Sequence, residues 1–259
     1  MIWKGASPLT RAFLALTLSI VAVRLALIPR FLTAIAVQAA IPLHDHFFPW
    51  VLRRPIVLAA AFFAPLATEL LVLRRPTPRR MRVSATAVTL GAAALLIHQA
   101  SYFYATWVVV FWAGALLGWM AWSGTADPER ATKQGPFLAQ LLIGFWFLGG
   151  AAGKWTDGYW AGRPFYDLFF LHGPYLQYAQ LRTWLDDSTL RTLATWFSRW
   201  TVLVETAMAF IVLLPARLAS TITVVVALGM WVAVPDLLDV AWPIIGTALA
   251  GRFLLGSER

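Results

Sequence analysis

The sequence predicts an all-α fold: a polytopic transmembrane bundle of about eight helices, with interfacial or re-entrant segments on its non-cytoplasmic side. Three observations carry that prediction. Of 259 residues, 60% are hydrophobic and 13% charged, and the mean hydropathy is +0.69, whereas a soluble domain is ~45–50% apolar. Apolar runs of spanning length recur along the chain, separated by proline, glycine and charge clusters. Tryptophans including Trp155, Trp160, Trp184, Trp196 and Trp200 gather where one interface would lie, as anchoring side chains do.

The expected spans follow from a need for ~20 apolar residues each. They cover 10–29, 55–73, 81–98, 103–122, 136–153, 192–214, 217–234 and 237–255. The first is read as a retained helix, since no small-residue cleavage site with a soluble domain follows it. A tight turn around Gln99 to Tyr102 joins the third and fourth, and only Pro235 and Asp236 divide the last two. Residues 30–54 and 154–191 are rich in aromatics and proline, so they are expected at headgroup level or dipping back into the membrane. No repeat or low-complexity tract interrupts the chain, and 1–259 is read as one integral membrane domain.

Lys and Arg set the orientation, because short cytoplasmic loops hold the excess. Arg74, Arg75, Arg79, Arg80 and Arg82 form the strongest cluster; placing it inside puts both termini in the cytoplasm. The opposite face then carries Arg30, Arg53, Arg54, Lys154, Arg163, Arg182, Arg191 and Arg199 with Asp45, Asp157, Asp167, Asp186, Asp187, Asp236 and Asp239, nearly in balance. The expected location is the bacterial inner (cytoplasmic) membrane, with the lipid bilayer as the first partner. A net charge of +9 does not imply nucleic acid, because the basic residues sit at the ends of apolar runs. Cysteine is absent, so thiolate metal sites, disulfides and thiol redox chemistry are excluded on this chain. P-loop, zinc-peptidase, nucleophile-elbow and dinucleotide signatures are absent too.

Three blocks carry a family resemblance. His98-Gln99-Ala100-Ser101-Tyr102-Phe103-Tyr104 precedes an apolar run closing on Trp119 to Gly124. Gly153-Lys154 leads through Trp160-Ala161-Gly162. Thr201 to Ala207, with Glu205 inside, runs on to Leu214-Pro215-Ala216-Arg217. In this order they resemble the membrane domain shared by vitamin K-dependent gamma-carboxylase and the bacterial HTTM (horizontally transferred transmembrane) proteins, over about residues 80–250; DoxX-type proteins are the nearest alternative. The resemblance implies a helical membrane core and an exoplasmic-side pocket for a quinone, a lipid or a peptide. It also implies a lysine base at the position of Lys154. Where the family has a lysine pair this chain has Lys154 alone, and Gly229 to Asp236 replaces a region with His and Asn. Carboxylation of glutamate is therefore not expected of it.

The residues themselves nominate the same region. Lys154 ends an apolar run; in apolar surroundings its charged form would be disfavoured, which suits a base, and the structural alternative is an anchor paired with Asp157. Glu205 is isolated among apolar neighbours, where a carboxylate faces the bundle interior, with Arg24, Arg199 or Arg163 as its expected ion-pair partner. Glu69 lies near Arg74 and is read as interfacial. His98 completes the catalytic candidates, and Trp155, Asp157, Trp160, Arg163, His172 and Tyr175 are the candidate ligand-binding residues. Arg163 to Tyr175 reads either as short half-helices lining a site or as an amphipathic interfacial segment. His44-Asp45-His46 offers too few ligands for a metal site. Two functions stay open: a pocket for a quinone, lipid or peptide, and a non-catalytic subunit or assembly factor of a larger membrane complex, bioenergetic or secretory, with other membrane subunits as partners.

Overall fold

The computed structural model describes residues 5–38, 54–97, 104–172 and 176–256. Among the described residues all regular structure is helical: α1 (Pro8–Gln38), α2 (Pro55–Arg74), α3 (Pro78–Ile97), α4 (Tyr104–Trp119), α5 (Pro128–Ala152), α6 (Asp157–Trp160), α7 (Arg163–Phe165), α8 (Leu176–Trp184), α9 (Asp187–Ala209), α10 (Ala216–Ala233) and α11 (Leu238–Leu254). Among the described residues seven helices are long and apolar enough to cross a membrane: Pro8–Thr33, Pro55–Arg74, Pro78–Ile97, Ala105–Gly124, Pro128–Ala152, Ala216–Ala233 and Pro235–Leu254. The chain is thus an all-α polytopic membrane bundle.

Two expectations change. The run expected to span at 192–214 falls within α9 and 3₁₀ turn Ile211–Leu213, and α9 is not among the seven. Its sequence is two-faced rather than uniformly apolar: Leu190, Ala194, Ser198, Val202, Glu205 and Met208 are buried, while Trp196, Trp200, Leu203 and Phe210 are exposed. Residues 30–38, expected in an outer loop, continue α1. His44, Asp45, His46 and the turn at 99–102 lie outside the described residues.

The described residues group into two compact units. The first is Met1–Leu142 with Leu214–Arg259. Here α1 packs on α11, α2 on α3 and α3 on α4. Small residues allow the close approaches, as they do where lipid removes the hydrophobic drive for helix association. At Gly246 of α11 an added Cβ would lie 1.9 Å from Ser19 Oγ of α1, and at Gly91 of α3 it would lie 2.4 Å from the Ala61 carbonyl oxygen of α2.

A buried charge sits inside this unit. Arg24 of α1 and Glu69 of α2 have no exposed side-chain surface, and Arg24 Nε lies 3.3 Å from Glu69 Oε2. Arg24 Nη1 also donates to the Phe62 carbonyl at 3.0 Å, and its guanidinium lies 5.6 Å and 5.3 Å from the ring centres of Phe62 and Trp107. Glu69 is therefore not interfacial, and its partner is Arg24 rather than Arg74. Nearer one end of the spans, Arg30 pairs with Asp236 at 3.0 Å, and Thr106 donates to Asp239 at 2.5 Å.

After α4 the helix widens into a π-turn, Met120–Gly124. Such a turn misaligns the regular hydrogen-bond ladder. The Ala121 carbonyl accepts instead from Arg82 Nε of α3 at 3.2 Å and from Thr125 Oγ1 at 2.7 Å.

The second unit, Ile143–Leu213, holds the end of α5, then α6, α7, a π-helical stretch Tyr166–Leu171, α8 and α9. Its α6 starts on Thr156, whose side chain accepts from the Tyr159 amide. Its α9 starts on Asp186, which accepts from the Thr189 amide at 2.8 Å. Both are the side-chain caps that unpaired first-turn amides call for.

Candidate functional site

The second unit contains the lysine singled out by the sequence. After the last turn of α5, the Lys154 amide donates to the Ala151 carbonyl at 2.8 Å, which turns the chain towards α6. That turn directs the side chain to α9, where Lys154 Nζ donates to Glu205 Oε1 in an ion pair. The lysine side chain keeps 25% of its surface exposed and the glutamate 9%. The expected pairing of Lys154 with Asp157, and of Glu205 with an arginine, is thus corrected. Glu205 lies on the buried face of α9, and α5 offers it Gly150, where an added Cβ would come within 3.1 Å of Oε2. With hydrogen at this position α5 meets the carboxylate without displacing it, whereas a methyl group would push Oε2 back by a few tenths of an ångström.

Glu205 is incompletely satisfied. Oε1 takes the Lys154 proton, but Oε2 is buried with no hydrogen-bond partner. Around the pair stand aromatic groups. Lys154 Nζ lies 5.8 Å from the centre of the Tyr159 ring, a distance at which the ring face attracts a cation. Trp155 and Trp160 stack at 5.3 Å with an interplanar angle of 18°, and Trp155 Nε1 donates to Thr206 Oγ1, next to Glu205, at 3.1 Å. Burial, helped by the negative charge of Glu205, pushes the Tyr159 phenol up to about 12. It therefore remains a proton donor at neutral pH.

The α6–α7 corner is held against α9 by its backbone. Ser198 Oγ donates to the Tyr159 carbonyl, Arg199 Nε to that of Trp160 at 3.3 Å, and Thr195 Oγ1 to that of Ala161 at 3.1 Å. Gly162 makes the turn at φ 79°, and an added Cβ would lie 2.5 Å from the Thr195 amide nitrogen. Both the left-handed conformation and the contact require glycine.

No family model, curated protein or solved structure matches this chain.

The other nominated residues fall in different places. Arg163 lines a cleft of about 170 Å³ with Ala161, Gly162, Tyr166, Asp167 and Arg191. That is below the ~300–1,000 Å³ usual for a small-molecule site. Tyr166 donates to Asp187, which also accepts from Arg191 at 2.7 Å, and the Arg191 guanidinium covers the Tyr166 ring at 4.2 Å. The Tyr166 hydrogen bond holds the Asp187 carboxyl below its usual range, and the same bond pushes the Tyr166 phenol up. Asp157 opens α6 and is exposed, as is His172 at the end of the π-helical stretch. Arg163 to Leu171, read from the sequence either as short half-helices or as an amphipathic interfacial segment, forms one continuous helical stretch in which α7 runs into π-helix. His98 and Tyr175 lie outside the described residues. Lys154, Glu205, Trp155 and Trp160 are thus brought together. Tyr159, Thr206 and Gly150 join them without having been nominated; the signal for Gly150 was the pair Gly149-Gly150 one turn before the lysine.

Proposed function

We propose that the second unit binds a hydrophobic molecule with a carbonyl or hydroxyl head, a quinone or a lipid, at the Lys154–Glu205 pair. The unpartnered Glu205 Oε2 carries this reading, because a buried carboxylate oxygen without a donor costs ~1–3 kcal/mol unless something supplies one. A hydroxyl head would supply it, and a carbonyl head would accept from the donors that Lys154 does not spend on Glu205. The stacked indoles of Trp155 and Trp160 provide a flat apolar wall for a ring or a tail. A quinone is thus compatible with the residues present, and when bound it would supply redox chemistry. The resemblance to the gamma-carboxylase and HTTM membrane domain agrees with such a ligand. The location proposed with it is the bacterial inner membrane, with the loop from Arg74 to Arg82 and both termini in the cytoplasm.

A second reading rests on α9. Its exposed row of Trp196, Trp200, Leu203 and Phe210 suits a neighbouring transmembrane subunit, which would make the chain a non-catalytic member of a larger complex. Purification of the full chain from its own membrane, followed by solvent extraction and mass spectrometry, separates the two. The pocket reading expects a quinone or lipid at near one per chain, reduced about tenfold in Lys154→Met and in Glu205→Gln at unchanged melting temperature. Equal ligand content in all three proteins refutes it; a co-purifying membrane protein retained in both variants supports the second reading.

A further inference from the structure

The first unit carries a site that the Lys154 region does not involve. Along one face of α3, Arg79, Val83, Thr86 and Ala87 line an open groove with Pro78, Arg82 and Trp122, and its volume is about 820 Å³. The face continues to Leu90, which is exposed. From Arg79 to Leu90 a helix rises about 16 Å, close to half of a ~30 Å hydrocarbon layer. The groove therefore begins in guanidinium at the mouth of a span and becomes apolar over the length of one acyl chain.

Its charged end is built. Arg82 is fixed by the π-turn, donating Nε to the Ala121 carbonyl at 3.2 Å and Nη2 to Thr125 Oγ1 at 3.3 Å. Its guanidinium lies 4.8 Å from the ring centre of Trp122, and that indole stays 57% exposed. Fixed in this way, Arg82 still has N–H groups to donate. Arg79 is exposed and makes no hydrogen bond or ion pair among the described residues. Arg80, whose Nη1 donates to the Arg75 carbonyl at 3.4 Å, adds a further positive charge beside it. No acid lies between Arg74 and Thr125; the next, Asp127, accepts from the Arg130 amide at 3.0 Å. The groove thus suits a molecule that is anionic at one end and apolar for the rest.

We propose that this groove holds an anionic glycerophospholipid, with its phosphate on Arg79 and Arg82 and one acyl chain along Val83, Ala87 and Leu90 beside Trp122. Guanidinium suits the role, since its fork of donors matches phosphate oxygens two at a time. The π-turn is what presents Arg82 and Trp122 together, so the site depends on a local irregularity rather than on general basicity.

The test uses the full chain, stripped of lipid in detergent. Phosphatidylglycerol, phosphatidylcholine and inorganic phosphate are added separately, and bound lipid is counted by native mass spectrometry beside the thermal unfolding midpoint. Phosphatidylglycerol should bind saturably and raise the midpoint, with phosphatidylcholine at least tenfold weaker. Arg79→Gln, at a side chain that makes no hydrogen bond or ion pair among the described residues, should weaken phosphatidylglycerol about tenfold, the size of one lost charge-assisted hydrogen bond. Arg252→Gln removes an exposed charge on α11 and should leave binding unchanged. The proposal is overturned if phosphatidylcholine binds as tightly, if inorganic phosphate alone gives the same midpoint shift, or if Arg79→Gln and Arg252→Gln bind alike. Arg82→Gln should weaken binding further, and Arg79→Gln decides the matter even if loss of the Ala121 tether prevents that variant from folding.

Discussion

Changing Glu69 to Gln should destabilise the first unit by about 3–5 kcal/mol, the usual result of leaving a buried charge without its partner. The structure sets this magnitude. Neither side chain of the Arg24–Glu69 pair has any exposed surface, so water cannot replace the lost carboxylate. After the change, the guanidinium would keep one hydrogen bond, to the Phe62 carbonyl, together with its places beside the Phe62 and Trp107 rings. Arg24→Met should cost less, about 2–3 kcal/mol, because Glu69 can take up a proton and a thioether packs well on the two rings. The double variant has no unpaired charge, so its loss should fall short of the sum of the singles by about 2–3 kcal/mol. Unfolding in mixed detergent and dodecyl sulfate micelles, followed by circular dichroism, measures all four proteins of the cycle. A loss below about 1 kcal/mol for Glu69→Gln, or additivity within about 0.5 kcal/mol, would refute the claim that the two charges sustain each other.

Gly246→Val should cost more than about 2 kcal/mol in the same assay, because even a Cβ there would meet Ser19 Oγ at 1.9 Å, whereas Gly229→Ala, inside α10 with open space at its Cβ, should be neutral or stabilise by up to about 1 kcal/mol. Asp187→Asn should bring the Tyr166 phenol back down towards ~10, visible as an earlier rise in phenolate absorbance on alkaline titration. The Asp187 carboxyl is held low by folding, so its contribution is complete above the ordinary aspartate range near ~4 and is lost as the pH falls through its lower folded value; stability measured down that range should drop less steeply in Asp187→Asn. Because the chain has no cysteine, Thr77→Cys provides a unique thiol for the loop between α2 and α3. An impermeant maleimide added outside intact cells should leave it unlabelled, and labelling would reverse the proposed orientation.

The spans were legible because their signal is local: a run of apolar residues between Pro78 and Ile97, or between Pro55 and Arg74, announces itself without knowledge of any neighbour. Pairing was not legible, because it depends on which helices meet. Glu69 looked interfacial beside Arg74 in the sequence, yet α1 brings Arg24 to it from a distant segment. Glu205 was recognisable as an acid needing a cation, but the choice of Lys154 over an arginine rests on the turn after Ala151, which aims the lysine at α9. α9 misled for a different reason. Its exposed tryptophans raise the apparent apolarity of a helix whose other face carries Ser198 and Glu205. The π-turns at Met120–Gly124 and Tyr166–Leu171 left no readable mark, since π-turns have no residue signature as strong as proline or glycine in turns.

The contact of Gly246 with Ser19 bears on the order in which the protein is made. α1 leaves the ribosome long before α11, the helix against which it packs through that glycine. During the interval the face bearing Ala12, Leu16 and Ser19 has only lipid or a biogenesis factor for company, and Arg24 on the same helix must wait for α2 to bring Glu69. Assembly is therefore staged. The charge is neutralised within the first helical hairpin, while the closest-packed seam of the unit is sealed late, so a ribosome that stalls before α11 releases a chain already charge-paired but still open along α1.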